Sequence, residues 1–248
     1  MILIVANSED SLLYLKTLLR NSEEVSLAQK YKTYVGKISG QDVCLVASTF
    51  SSYASEFVTT ALIQRYQPYL VIYLGDVMAL SDGIKPGNIF LTNHVIYTDL
   101  DQTERDSRMR MFDLPILHNE TSSGHYLSDN ISKVISSVTI KNAIVGTIAS
   151  SNRYVTKSSE LRYKKEDLEA LVNGPVALDS EFGGVSIACH MYDVALIGVT
   201  TVSCTIDNPR SMVERTRVIL RGQVELGKAL ASYISRLNDE EAVFIRKW

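Results

Sequence analysis

A carboxylate follows a short apolar strand and opens a small-residue helix in the second half of the chain. The strand is predicted over 176–178, and Asp179, Ser180 and Glu181 lead into a helix over 181–191. Ligands of open α/β sheets bind beyond the carboxyl ends of strands. Glu181 can therefore accept hydrogen bonds from two vicinal hydroxyls, as a sugar requires, or it can simply complement the helix dipole. Asp179 points to the opposite face of an extended backbone, so the two acids are not paired.

Two further strand ends carry side chains that can contact a ligand. Tyr154 follows a predicted strand over 140–148, and its ring can stack on a base or pack beneath its own loop. Gly75 permits a tight turn after a strand over 69–74, which places Asp76 at a strand end in the middle of the sheet. That acid can face a ligand or bond to its own backbone in an Asx turn.

A second strand-to-helix junction lies beside the first. A strand predicted over 194–202 is followed by Ser203, Cys204 and Asp207, so two adjacent strands end in polar residues. Asp207 can also belong to a turn that caps the last helix. A row of basic residues near the start of that helix is predicted to be a solvated face; its members are Arg210, Arg215, Arg217 and Arg221.

Composition excludes several classes of protein. The chain has 248 residues, 46% of them apolar, and a net charge of −3, so it can bury a large core and carries no basic field for nucleic acid. Its cysteines (Cys44, Cys189 and Cys204) are scattered, which argues against a zinc site and fits a reducing cytosol. No segment has the pattern of a signal peptide or a membrane span. No catalytic metal or triad motif occurs, and we expect no metal and no cofactor.

Apolar strands alternate with amphipathic helices along the whole chain. Strands are predicted over 1–6, 32–38, 43–48, 69–74, 88–92, 95–98, 140–148, 176–178 and 194–202. Helices are predicted after a cap at Asn7 or Ser8 and over 55–66, 126–136, 158–171, 181–191 and 212–237. A polar segment over 100–120 is too long for a simple connection. The pattern predicts one α/β domain over 1–248, with a mixed, mostly parallel central sheet and helices on both faces.

Several of these segments match a known family when they are taken in order. The strand over 69–75 ends in glycine, the segment 83–92 reads Gly-Ile-Lys-Pro-Gly-Asn-Ile-Phe-Leu-Thr, and an acidic strand end follows at Asp99. The chain thereby resembles the nucleoside phosphorylase and nucleosidase superfamily, and most closely the 5′-methylthioadenosine/S-adenosylhomocysteine nucleosidases. The resemblance implies a three-layer nucleoside phosphorylase-like fold, a nucleoside substrate and a homo-oligomer, with a dimer favoured.

The resemblance also assigns substrate-binding positions. Glu181 matches the glutamate that grips the ribose hydroxyls, and Ser180 stands where the family has methionine. Tyr154 matches the aromatic residue that stacks on the base, and the backbone of Val155 matches the neighbour that meets the base edge. Asp76 and Ser203 join these as candidate binding residues.

The positions that carry the family's chemistry differ. The family strand ends Arg-x-x-Ser-Asp, whereas this chain has Thr200 and Cys204 in place of the arginine and the acid. The proton donor to the leaving base is then Cys204 or, if the loop turns back, Asp207. The family's water-activating glutamate corresponds to Asp10 or Ser11.

These departures leave two functions open. The first is hydrolysis of a purine N-ribosidic bond; water is the expected nucleophile because no arginine stands where phosphorolytic relatives hold phosphate. Bulky side chains at Phe50 and Met78 would crowd that nucleophile. The second is binding of a nucleoside or related metabolite without turnover.

Overall fold

The computed structural model describes residues 1–48, 51–99, 125–126, 140 and 143–237. Within these ranges, strands and helices alternate along the chain. The strands are β1 (Ile2–Ala6), β2 (Arg20–Leu27), β3 (Tyr31–Ile38), β4 (Gln41–Ala47), β5 (Leu70–Ala79), β6 (Ile89–Tyr97), β7 (His125–Tyr126), β8 (Ala143–Ser150), β9 (Val176–Asp179) and β10 (Ala195–Thr205). The α-helices are α1 (Glu9–Leu18), α2 (Ser52–Tyr66), α3 (Lys165–Val172), α4 (Phe182–Met191) and α5 (Met212–Arg236).

All described strands join one mixed sheet. The order β4–β1–β5–β10 at its centre is parallel, as the alternating pattern predicts. Antiparallel pairing occurs between β10 and β6, between β5 and β9, and in the β2–β3–β4 extension. Because β6 pairs with β8, β8 with β9 and β9 with β5, this half of the sheet closes on itself. The closed half is where the carboxyl ends of β5, β8 and β9 converge.

Helices cover both faces of the sheet and complete the predicted three layers. On one face α1 and α5 contribute Leu12, Leu15 and Leu226 to an apolar cluster. On the other face α2 and α4 contribute Val58 and Val185 to a second cluster. Strand β1 is buried along its whole length between these layers, which explains its continuous apolar sequence.

Two strands extend beyond their predicted ends, and both corrections bear on the site. β5 continues through Gly75 to Ala79, and β10 continues to Thr205, because the two strands stay paired along that length. Gly75 therefore makes no turn. Its hydrogen side chain instead allows the close approach of Asn7, since a Cβ there would lie 2.9 Å from the Asn7 Cγ.

Other elements differ from the prediction in type or extent. β2 has a polar, exposed sequence that gave no strand signal. The predicted helix over 158–171 is a 3-10 turn at Ser158–Glu160 followed by α3. The segments predicted over 88–92 and 95–98 form one strand, β6, with an irregularity between Thr92 and His94. The segment 100–120 lies outside the described residues, as do residues 127–136 of the helix predicted over 126–136; its first residue, Tyr126, belongs to β7.

Helix starts follow the capping signals in the sequence. Ser8 caps α1, accepting a hydrogen bond from the Ser11 backbone N–H, as one of the two predicted caps. α5 begins with a capping box between Ser211 and Glu214, so the turn near Asp207 is not its cap. None of the helices within the described ranges is both long and apolar enough to cross a bilayer.

Candidate functional site

A cavity of about 510 Å³ opens where β1, β5, β8 and β9 end and α5 begins. This is the place where α/β sheets bind ligands. Two-thirds of the predicted site residues line it: Asp10, Asp76, Tyr154, Val155, Ser180 and Glu181. Residues that were predicted from separate segments of the chain are therefore brought together by the strand ends.

Glu181 lies at the N-cap position of α4, where the chain leaves β9. The Ser55 hydroxyl of α2 donates a 2.5 Å hydrogen bond to its backbone carbonyl, which fixes this end of α4 against α2. Its carboxyl group is partly buried. Burial, with the neighbouring Asp179 adding to it, raises the pKa of Glu181 to about 8. The group is therefore largely protonated at neutral pH and can both donate and accept hydrogen bonds.

Asp179 lies in the same cavity, which corrects the expectation that it faces away from Glu181. The chain turns at this point instead of staying extended. The Asp179 carboxylate accepts a 2.7 Å bond from the Tyr73 hydroxyl and a 2.6 Å bond from the Glu181 backbone N–H. It also accepts a bond from the Phe182 N–H. Burial raises the pKa of Asp179 even though these donors favour its ionised form.

Asp76 is held by an amide and a guanidinium. The side-chain amide of Asn7 donates to its Oδ1 at 2.9 Å, and Arg215 Nη2 lies 3.2 Å from its Oδ2. Asn7 in turn accepts a hydrogen bond from the buried Ser11 hydroxyl at 3.0 Å. The Asx turn considered for Asp76 does not form, because the residue lies within β5.

Arg215 is the site residue that the sequence prediction missed. Its side chain is only 21% exposed and reaches the cavity from α5, so it is not part of a solvated face. The spacing of residues along α5 could have indicated that Arg215 faces the sheet. Arg215 continues the stripe that Ile219, Leu226 and Leu230 form at helical spacing, which is the stripe that packs against the sheet.

Tyr154 lies at the mouth of the cavity with 59% of its surface exposed. The Arg215 guanidinium lies 5.6 Å from its ring centroid and donates a hydrogen bond to its hydroxyl. The loop that carries Tyr154 is fixed by Asp99, whose carboxylate accepts bonds from the Ser151 hydroxyl at 2.8 Å and the Asn152 N–H at 2.7 Å. An exposed ring on a fixed loop can stack on a planar ligand.

The remaining predicted residues do not line the cavity. Cys204 is fully buried in β10, and the Ser203 hydroxyl donates to the Val77 carbonyl at 3.3 Å. Asp207 accepts a 2.7 Å bond from the Ser158 N–H beside a separate depression. Hydrogen bonding from the Ser158 side chain, together with this backbone bond, lowers the pKa of Asp207. The reason is the extension of β10, which carries these residues past the predicted strand end.

Two other expectations concern crowding and metal. Met78 lines the cavity, as the crowding prediction requires, whereas Phe50 lies outside the described residues. Among the part of the chain that the structure describes, no group of three acidic, histidine or cysteine side chains is arranged to hold a metal ion.

The amino-acid sequence is similar to those of known proteins. A family model described as the phosphorylase superfamily matches residues 1–235. A 5′-methylthioadenosine/S-adenosylhomocysteine nucleosidase of Staphylococcus haemolyticus is 28% identical over 204 residues, covering 82% of this chain and 86% of the relative.

Solved structures with related names share the fold. A protein of Borrelia burgdorferi, described as such a nucleosidase and bound to adenine, aligns with a TM-score of 0.82 at 18% identity, covering 96% of this chain and 100% of the other. The nucleosidase of S. pneumoniae with a transition-state inhibitor aligns with a TM-score of 0.81 at 18% identity, covering 96% and 99%.

Proposed function

The chain belongs to the phosphorylase superfamily, and we propose that it is a nucleosidase that hydrolyses the N-ribosidic bond of a purine nucleoside. The substrate class is that of 5′-methylthioadenosine and S-adenosylhomocysteine, on which the named relatives act. The observation that carries the proposal is the partly buried carboxyl group of Glu181 in a cavity that also presents the exposed ring of Tyr154. The pair supplies a polar grip for a sugar and an apolar surface for a base.

Each lining residue has a role in this scheme. Glu181 bonds the vicinal ribose hydroxyls, and in its neutral form it donates to one and accepts from the other. Tyr154 stacks on the base, the backbone of Val155 meets the base edge, and Ser180 lies beside the sugar. Desolvation makes the Glu181 bonds worth more than they would be in water.

The chemistry is the displacement of a base by water. The water oxygen forms a bond to the anomeric carbon, the bond from that carbon to the base nitrogen breaks, and its electron pair goes to the base. The water loses one proton, and the base gains one. Asp10 lines the cavity and is the proposed acceptor of the water proton, whereas the Ser11 hydroxyl is already bonded to Asn7. Acid roles for Cys204 and Asp207 stay predictions, because neither side chain lines the cavity.

Release of adenine from 5′-methylthioadenosine, followed by chromatography, tests the function. We expect turnover by the wild type and a loss of roughly ten- to a hundredfold in kcat/KM for Glu181→Ala, since this truncation removes both the donor and the acceptor, each worth about 0.5–1.5 kcal/mol. Glu225→Ala is the matched control, because Glu225 is an exposed glutamate on α5, and this variant should match the wild type. Nucleoside binding without release of base would establish the non-catalytic alternative.

A homodimer and a cytoplasmic location complete the proposal. Tyr53 and Phe57 are 73% and 52% exposed and lie one turn apart on α2, so they form an apolar face suited to a second copy. The three cysteines are buried as free thiols, which fits a reducing compartment.

A further inference from the structure

The ion pair between Asp76 and Arg215 lines the cavity. Their side chains are 11% and 21% exposed, and they come from distant elements, the end of β5 and the start of α5. The loss of hydration on burying two charges offsets much of their mutual attraction, so a poorly exposed ion pair contributes little net stability. Their presence beside the substrate-binding residues points to a role in what the cavity admits.

Asp76 uses its hydrogen-bonding groups more fully than Arg215 does. Both oxygens of Asp76 are occupied, one by Asn7 and one by Arg215. The Arg215 guanidinium uses Nη2 for Asp76 and Nη1 for Tyr154, while its buried Nε has no hydrogen-bond partner among the described residues. Asp76 thus accepts one hydrogen bond from Arg215, although a guanidinium can donate two parallel hydrogen bonds to the oxygens of one anion.

We propose that Arg215 forms an oxyanion-binding site that the carboxylate of Asp76 occupies from within, so that the cavity excludes inorganic phosphate and uses water as its nucleophile. The inference deepens the proposed nucleosidase function and rests on it for the nucleophile. The carboxylate of Asp76 sets one negative charge beside the Arg215 guanidinium. Two more acidic residues, Asp10 and Asp179, line the same cavity. A phosphate dianion would have to displace Asp76 and leave that carboxylate buried without its cation.

The two reactions differ only in the attacking oxygen. With water, the anomeric carbon gains a hydroxyl, and the free sugar, which keeps its 5′ substituent, and the free base leave. With phosphate, a phosphate oxygen bonds to the same carbon, the electron pair of the broken bond again goes to the base, and the proton of hydrogen phosphate balances the one the base takes up. Asp76 therefore decides between hydrolysis and phosphorolysis without touching the reacting bond.

Asp76→Asn is the direct test, because asparagine keeps the size and the acceptor oxygen but removes the charge. Thermal unfolding of the intact protein is measured with and without inorganic phosphate, which requires no nucleosidase activity. The wild type should not respond. In Asp76→Asn, phosphate at about a hundred times its Kd should raise Tm by roughly 5 °C. Adding Arg215→Met to Asp76→Asn should abolish that shift.

A matched control separates this effect from a general loss of acid. Asp82→Asn also removes an aspartate from an ion pair, that with Lys165 at 2.7 Å, but away from this cavity. It should show no phosphate response. If Asp76→Asn does not fold, Asp76→Ser offers the same test with a smaller side chain.

Product analysis adds a second measurement. Given nucleosidase activity, Asp76→Asn in phosphate buffer should form ribose 1-phosphate derivatives, whereas the wild type forms only free sugar. A wild type that binds phosphate as strongly as the variant, or charge-removing variants at position 76 with no phosphate response, would overturn the inference. Absence of turnover in every protein, with the Tm shift present in Asp76→Asn, would instead count against the proposed function while upholding the anion site.

Discussion

At the scale of single residues, two partly buried acids at the junction of β9 and α4 set the properties of the cavity. Asp179 is tied to Tyr73 and to two backbone N–H groups, so it has a structural partner for each oxygen. Glu181 has no side-chain capping bond to the helix, and burial raises its pKa. An acid whose pKa is raised by burial and that lines a cavity is a candidate ligand-binding group.

Stability should therefore depend on pH through Glu181. Below about pH 4.3 the group is protonated in both the folded and the unfolded chain. As pH rises, the unfolded chain loses the proton first and the folded chain retains it until its pKa of about 8, so stability falls across this window. Glu181→Gln should gain at least about 1 kcal/mol over the wild type at pH 8.5, and nothing at pH 4.5, in urea unfolding.

The control for this prediction is Glu225→Gln, which removes an exposed glutamate from α5. It should follow the wild-type pH profile. A constant difference between Glu181→Gln and the wild type at both pH values would show that Glu181 ionises normally in the folded chain.

Site residues that follow strand ends could be predicted from the sequence, whereas a residue placed by contact with a distant side chain could not. Glu181 and Tyr154 could be predicted because each follows a strand in a parallel arrangement. Arg215 could not be separated from its neighbouring arginines by charge alone, since only the packing of α5 places it against Asp76. Cys204 was misplaced relative to the cavity because the extension of β10 buries it.

At the scale of elements, the site depends on how closely α2 and α4 approach each other. A Cβ at Gly184 would lie 1.8 Å from the Ser52 carbonyl oxygen, so no other residue fits there without a shift of backbone. This contact sits beside the bond from Ser55 to the Glu181 carbonyl. The packing of the two helices therefore fixes where Glu181 enters the cavity.

Gly184→Ala should destabilise the protein by about 1–3 kcal/mol or more, as overpacking does in tightly packed cores. Gly174→Ala is the matched control, because a Cβ at Gly174 would lie 3.9 Å from the Val172 carbonyl oxygen, which is an ordinary van der Waals contact. Urea unfolding of both variants gives the comparison. Equal stability of the two variants would mean that α2 and α4 leave room between them for a methyl group.

The type of an element could be predicted where apolar residues recur in a regular pattern, but the residues at which strands end could not. Buried strands such as β1 have continuous apolar sequence, and Ser8 marks the start of α1. The ends of β5 and β10 depend instead on each other, because pairing between the strands carries both past the glycine and the polar residues that suggested a stop. β2 is polar and exposed, so only its pairing with β3 defines it.

At the scale of the whole molecule, the layered sheet explains why separate segments converge. Alternating strands and helices place strand ends at one edge, and the closure of the sheet through β9 brings β5 and β8 around a single cavity. The alternation was enough to predict the three layers. The closure was not predictable, because the antiparallel pairing of β9 with β5 leaves no local signal in the sequence. That residues 1–248 form one domain stays a prediction.

The proposed dimer belongs to this scale as well. Phe57→Asp should convert the protein to a monomer in analytical ultracentrifugation, because a charge within an apolar interface must be desolvated. Leu13→Asp is the matched control, since Leu13 is exposed to a similar extent, 49%, on a different helix. A wild type that sediments as a monomer, or a dimer that survives Phe57→Asp, would contradict the α2 interface.

The central claim is that Glu181 binds the sugar of a purine nucleoside in this cavity. Calorimetric titration with an adenine-like C-nucleoside, whose glycosidic carbon–carbon bond cannot be hydrolysed, tests it most directly when repeated with the 2′-deoxy form. The wild type should bind the ribosyl form roughly ten- to a hundredfold more tightly, and Glu181→Ala should lose most of that preference. Equal affinity of the wild type for both forms, or a preference that Glu181→Ala retains in full, would contradict the claim.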